Sequence, residues 1–349
     1  MGRHQIENLQ SNRVAGGHGN AFGFIRLVFA SAVIVSHTVD MIHGDYAAEI
    51  VYRLTGTRTL AMLAVEGFFI ISGFLITASL ANSTKLSDYL WKRVIRIFPA
   101  FIVCSLICLA IIGPAAGGGF SSAHDWLLSL VRMVFLFKPE QTGVFSGNPI
   151  PVLNAPAWTI QYEFACYLGI AALGVLGILR RPLLVAALAV LMLLISALIQ
   201  IKIIPGWDMH LVRNLPRLIG MFLAGATLYF CQDRVPLNRT MVVVASAGLA
   251  SFMLSELLVN FGVAVFGTYL IFALAQWGGG NVLRKINNRN DISYGLYLYA
   301  WPIESLLIFY GFSSFWALVG LTWLFAALAG GLSWFVLEKP ILRHLKPRR

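Results

Sequence analysis

Two side chains pose the first question: the guanidinium of Arg26 and the imidazole of His37, both inside one apolar run. An ionisable group in hydrocarbon costs several kcal/mol unless it is paired or hydrated, so it marks a functional candidate. Eleven positions separate the two, about 16 Å along a helix axis and close to three full turns. Both side chains therefore share one stripe, with Arg26 toward one end of the span and His37 toward the other. An imidazole takes a proton near neutral pH, and a guanidinium holds phosphate or a carbonyl oxygen. Taken singly, a snorkelling arginine and an interfacial histidine explain them equally well. The shared face is what points to chemistry.

Glu66 lies in the next apolar run at a depth close to His37. A carboxylate there would fix the imidazole tautomer and raise its basicity; a structural ion pair with Arg58 fits the same position. Ser72, in GFFIISGFLI (67–76), is not in a GxSxG elbow and reads as packing beside Gly67 and Gly73. Arg93 and Arg96 stand three apart on one helix face, a spacing that suits forked phosphate binding. They serve equally as cytoplasmic anchors beside Lys85 and Lys92. Trp158, Glu163 and Tyr167 open a later span. Trp158 offers a ring for stacking on a sugar and Glu163 a carboxylate for a hydroxyl, while belt anchoring fits the aromatic residues as well.

The elements that must position these residues follow from composition. Of 349 residues 58% are hydrophobic and 12% charged, about half the charge of a soluble domain. The chain reads as an all-α integral membrane protein, a polytopic bundle of about ten transmembrane helices. Apolar stretches fall at 21–39, 60–80, 97–113, 157–179, 183–201, 215–231, 240–258, 261–277, 292–310 and 314–337. The stretch 126–137 is shorter and carries Arg132, so it reads as interfacial or re-entrant. Most of the 26 basic residues fall in segments on the side of the N-terminus, which places both termini in the cytoplasm.

Residues 1–20 read as a flexible cytoplasmic tail, 21–343 as the membrane domain and 344–349 as a basic cytoplasmic tail. The net charge of +11 comes without a basic stripe or a nucleic-acid motif, so no nucleic-acid partner is expected. Four cysteines, Cys104, Cys108, Cys166 and Cys231, lack metal spacing, and neither a disulfide framework nor a metal is expected.

Six motifs in order carry a resemblance: Arg26 with His37; Glu66-Gly67-Phe68-Phe69 running on to Leu75; Arg93-Val94-Ile95-Arg96 with Pro99; Trp158-Thr159-Ile160 with Glu163 and Tyr167; Ser293-Tyr294-Gly295-Leu296-Tyr297-Leu298 with Pro302; and Glu338-Lys339-Pro340. Over about residues 20–343 the chain resembles the acyltransferase-3 family of bacterial membrane proteins, which O-acylate surface carbohydrates. The resemblance implies an O-acyltransferase of the bacterial inner membrane. It would move an acetyl group from cytoplasmic acetyl-coenzyme A to a hydroxyl of a cell-surface or lipid-linked carbohydrate. His37 and Glu66 would then be catalytic; Arg26, Arg93 and Arg96 would bind the coenzyme; and Trp158, Glu163 and Tyr167 would bind the acceptor.

The chain departs from the family in two respects. Many members carry a histidine between Leu298 and Pro302, where this chain has Tyr299, Ala300 and Trp301; His37 is then the only candidate base. Larger members append an esterase-like domain, so this chain is expected to finish the transfer alone or pass the group to another protein. A carrier or flippase for a lipid-linked sugar or small acid, using the same polar residues as a relay, is the other class these residues allow.

Overall fold

The structure, a computed structural model, describes residues 20–204, 209–277, 280–288 and 290–344. The expected tails fall almost wholly outside the described residues. Among the described residues, regular structure is helical, and the one β feature is an isolated bridge between Gly119 and Thr142.

Each of the ten apolar stretches carries helix. The first three are α1 (Phe22–His43), α2 (Leu60–Ala81) and α3 (Leu86–Ile107), with α3 prolonged through a π turn at Cys108–Ile112. An amphipathic helix, α4 (Ala123–Val134), then occupies the expected interfacial stretch. Next come α5 (Trp158–Val175), α6 (Pro182–Gln200), α7 (His210–Cys231) and α8 (Arg239–Phe252). Helix α9 is continuous over Val259–Trp277. The last two are α10 (Ser293–Phe309) and α11 (Phe315–Ser333), and α11 runs on through a π turn at Trp334–Glu338. Six of these helices, α1, α2, α3, α6, α9 and α11, are long and apolar enough to cross a membrane. Helix α8 stops at Phe252, short of the expected 258, because the chain turns before α9 begins.

Small residues set how closely the helices approach, as expected where hydrocarbon surrounds the bundle. A Cβ at Gly73 of α2 would collide with the carbonyl oxygen of Phe222 on α7. A Cβ at Gly225 of α7 would collide with the Ile70 carbonyl on α2. Gly295 and Gly330 meet in the same way between α10 and α11. Gly67 receives the ring of Phe29, which seats α1 against α2. The GFFIISGFLI run is therefore a packing seam, as its small residues suggest.

A buried charge cluster ties five elements together. Glu66, fully buried on α2, accepts from Arg58 Nε at 3.0 Å and from Arg217 Nη1 at 2.6 Å, both through Oε1. Arg58 lies in the loop before α2 and also donates to Asn260 of α9. Arg217 reaches Asn214 on its own helix, α7, at 2.7 Å, and Asn260 donates to Ser196 of α6 at 3.2 Å. Removing one partner from a buried ion pair costs about 3–5 kcal/mol because the other charge is stranded. Glu66→Ala is therefore expected to lower the thermal unfolding temperature of the detergent-solubilised protein sharply, by the equivalent of that loss. An unchanged unfolding temperature would show that the triad does not hold the bundle.

Candidate active site

Helix α1 places Arg26 and His37 in different surroundings. At the far end of the helix, His37 Nδ1 lies 3.2 Å from Asp40 Oδ2, one turn on. A carboxylate only accepts, so Asp40 selects the tautomer with hydrogen on Nδ1 and leaves the lone pair on Nε2. The ring of Trp301 meets the imidazole edge-on, with centroids 5.0 Å apart. Trp301 Nε1 in turn donates to the Val152 carbonyl at 2.9 Å, which fastens the segment before α5 over this end of the bundle. The neighbouring Thr38 donates to the buried Glu304 of α10.

Glu66 is not the partner of His37, contrary to expectation. Its Oε1 is taken by Arg58 and Arg217, and its Oε2 has no hydrogen-bond partner among the described residues. Successive residues on a helix point about 100° apart. With Gly67 turned to Phe29 of α1, Glu66 is directed to α7 and α9. The ion pair with Arg58, the other reading of this residue, is present.

At the opposite end of α1, Arg26 Nη1 bonds Asp291 Oδ2 at 2.6 Å. The same oxygen accepts from Arg96 Nη2 at 2.5 Å, and Arg96 Nη1 bonds Glu338 at 3.1 Å. Asp291 also accepts from Ser293 Oγ at 2.5 Å and from Asn287 at 3.0 Å. Burial alone would push the Asp291 carboxyl up, but the two guanidiniums and these hydrogen bonds hold it well below the usual carboxylate range. Two cations and two carboxylates thus close a neutral cluster joining α1, α3, the start of α10 and the π turn after α11.

Arg93 is held differently. Among the described residues it has no carboxylate partner: its guanidinium lies 5.8 Å from the ring centroids of both Tyr89 and Tyr167, and it donates weakly to Ser79 at 3.4 Å. Its buried Nε has no hydrogen-bond partner among the described residues. Of the three arginines expected to hold phosphates, Arg93 is the one that no acid among the described residues offsets.

Beside Arg26 opens a narrow cavity of about 40 Å³, lined by Arg26, Phe68, Glu163, Tyr294 and Tyr297 among others. Glu163 accepts from Ser72 at 2.8 Å and from Tyr167 at 2.6 Å. This divides the expected acceptor trio. Trp158 stays at the far end, edge-on to Tyr162 at 5.0 Å and to His210 at 4.5 Å. Helix α5 descends from there at 1.5 Å per residue, so Tyr167 sits roughly 13 Å deeper. Glu163 and Tyr167 thereby join Arg26 and Arg93 rather than His37.

Sequence reasoning did not single out Asp40, Asp291, Glu304 or Arg217. Asp40 carried a readable signal, an acid three positions after His37 on the same helix. Asp291, just ahead of the Ser293-Tyr294-Gly295 motif, becomes meaningful only once α10 is docked against α1 and α3. Among the described residues, no group of three or more His, Cys, Asp or Glu side chains is placed to hold a metal ion.

Comparison with known proteins meets this geometry from a separate direction. An O-acetyl transferase of Shigella phage Sf6 is 27% identical over 94% of this chain and 98% of its own. Nodulation protein 10 of Rhizobium leguminosarum bv. viciae is 27% identical over 95% of this chain and 96% of its own. Acyltransferase MdmB of Streptomyces mycarofaciens is 30% identical over a shorter stretch, 32% of this chain and 27% of its own. No solved structure gives a significant match. Residues 20–337 match the acyltransferase-3 family model, described as an acyltransferase domain. A match over nearly the whole chain, with full-length relatives that include an O-acetyl transferase, shows that the protein belongs to the acyltransferase-3 family and is an O-acyltransferase.

Proposed function

We propose that this enzyme moves an acetyl group from cytoplasmic acetyl-coenzyme A to a hydroxyl of a cell-surface or lipid-linked carbohydrate. The observation that carries the reading is the polarity of α1. One end meets an arginine-rich cluster where Arg93 has no acid beside it among the described residues, and the other presents an imidazole beside a carboxylate. An O-acetyl transferase among the full-length relatives favours acetyl as the group transferred.

In this reading the helices over all ten apolar stretches cross the inner membrane of a bacterium, with both termini and the Arg93 end in the cytoplasm. The phosphates of the donor dock on Arg93, with Arg26 and Arg96 held in place by Asp291 and Glu338. The thin arm of the donor enters past Arg26 along the cavity walled by Phe68, Glu163 and Tyr297. The acceptor hydroxyl approaches His37 from the other side. His37 Nε2 takes the hydroxyl proton as the oxygen attacks the thioester carbonyl. The carbon–sulfur bond then breaks, and the departing thiolate takes that proton from the imidazolium. Asp40 keeps the ring in the productive tautomer throughout.

Two measurements on purified enzyme test the two ends separately, both following release of the free thiol. His37→Ala is expected to lower kcat by about 10²–10⁴ while the protein stays folded and inserted. Asp40→Asn should give a smaller loss with the donor KM unchanged. Full activity of His37→Ala would remove the base from this mechanism. At the other end, Arg93→Ala should raise the donor KM about 10- to 100-fold, the cost of losing a charged hydrogen bond. A donor KM that stays at the wild-type value would show that Arg93 serves only to anchor the helix.

A further inference from the structure

The segment between α3 and α5 encloses a second cavity, apart from the groups at His37 and Arg26. It is a groove of about 240 Å³ between α4 and the strand-like pair Gly119 and Thr142. Helix α4 contributes Asp125, Leu128, Ser129 and Arg132, spaced i, i+3, i+4 and i+7 and so on one face. The facing wall brings Phe120, Glu140, Gln141 and Thr142. A different stripe of α4, with Leu127, Val131 and Val134, is apolar and exposed. That pattern seats the helix in a membrane interface with its groove face turned away from lipid.

The lining chemistry narrows the ligand. Its carboxylates, Asp125 and Glu140, outnumber its one guanidinium, Arg132, which is already bonded to Glu140 at 2.8 Å. An anion would find no free cation there. Hydroxyl, amide and carboxylate groups beside an aromatic ring instead suit a neutral polyol, which both donates and accepts hydrogen bonds. Gln141 donates through Nε2 to the Leu109 carbonyl at 2.7 Å, which fastens this wall of the groove to the π turn after α3. Phe120, its ring centroid 4.9 Å from that of Trp126, supplies an apolar surface for the face of a sugar.

We propose that this groove is an accessory carbohydrate site that holds a neutral sugar unit of the acceptor glycan at the membrane surface. The proposal rests on the carbohydrate reading of the acceptor given above. The same segment that forms the groove continues to Val152 over Trp301, and Asn148 donates to the Ser305 carbonyl of α10 at 2.9 Å. A glycan held in the groove is thereby anchored to the body that carries His37.

The test is binding, without turnover, of detergent-purified protein to a glycan array of neutral and acidic bacterial surface oligosaccharides. Wild type and His37→Ala are expected to retain neutral oligosaccharides alike. Ser129→Trp, which fills the groove, and Asp125→Ala, on its exposed rim, should each lower that signal about ten-fold or more. Equal binding by Ser129→Trp and wild type would overturn the proposal. So would a preference for acidic glycans, loss of binding in His37→Ala alone, or no binding by wild type. Because binding is read without an acetyl donor, intact groove-dependent binding by a protein that acetylates none of these glycans in a separate assay with acetyl-coenzyme A would count against the carbohydrate reading of the acceptor and not against the site.

Discussion

The structure depends on one constraint: a charge placed among apolar helices must be matched by another. Asp291 meets it for Arg26 and Arg96 together, through a single carboxylate oxygen, and Glu338 completes the set. Glu66 does the same for Arg58 and Arg217 at the other end of the bundle. These two clusters differ in what they leave over. Around Asp291 the charges balance, and Arg93 stands next to the cluster with no acid of its own among the described residues. Around Glu66 an extra positive charge is buried with amide partners from Asn214 and Asn260, and the cluster acts as a fastening.

That difference explains why the same residue types have different roles along the chain. An arginine tied to carboxylates has its fork fixed in space, which is what a coenzyme-binding wall requires. An arginine resting on tyrosine faces keeps its charge available to an incoming anion. The imidazole of His37 is paired with a neighbour on its own helix and not with a distant one, so its orientation does not depend on how α2 settles against α1.

Much of this was legible in the sequence. The helical class, the helices over the ten apolar stretches, the amphipathic pattern of α4 and the Arg26–His37 stripe all follow from hydropathy and helical period. Those are local properties, and close helix packing does not alter them. What escaped was direction. Depth alone put Glu66 beside His37, but depth does not say which way a side chain points; the contact of Gly67 with Phe29 decides that. Likewise Trp158, Glu163 and Tyr167 look like one cluster in sequence, yet a helix carries its later residues inward, so Trp158 stays against His210 while Glu163 lines the cavity beside Arg26. Asp291 was invisible because its partners lie 265 and 195 positions away along the chain.

The central claim is that donor and acceptor occupy opposite ends of α1 and that the acetyl group crosses between them. The most direct measurement uses sealed proteoliposomes of known orientation, with radiolabelled acetyl-coenzyme A supplied on one face and a panel of membrane-linked glycans on the other. The account expects label on the glycan when the donor is on the face bearing Arg93 and none when donor and acceptor are exchanged. Transfer that requires donor and acceptor on the same face, or entry of label into the lumen without any acylated glycan, would contradict it.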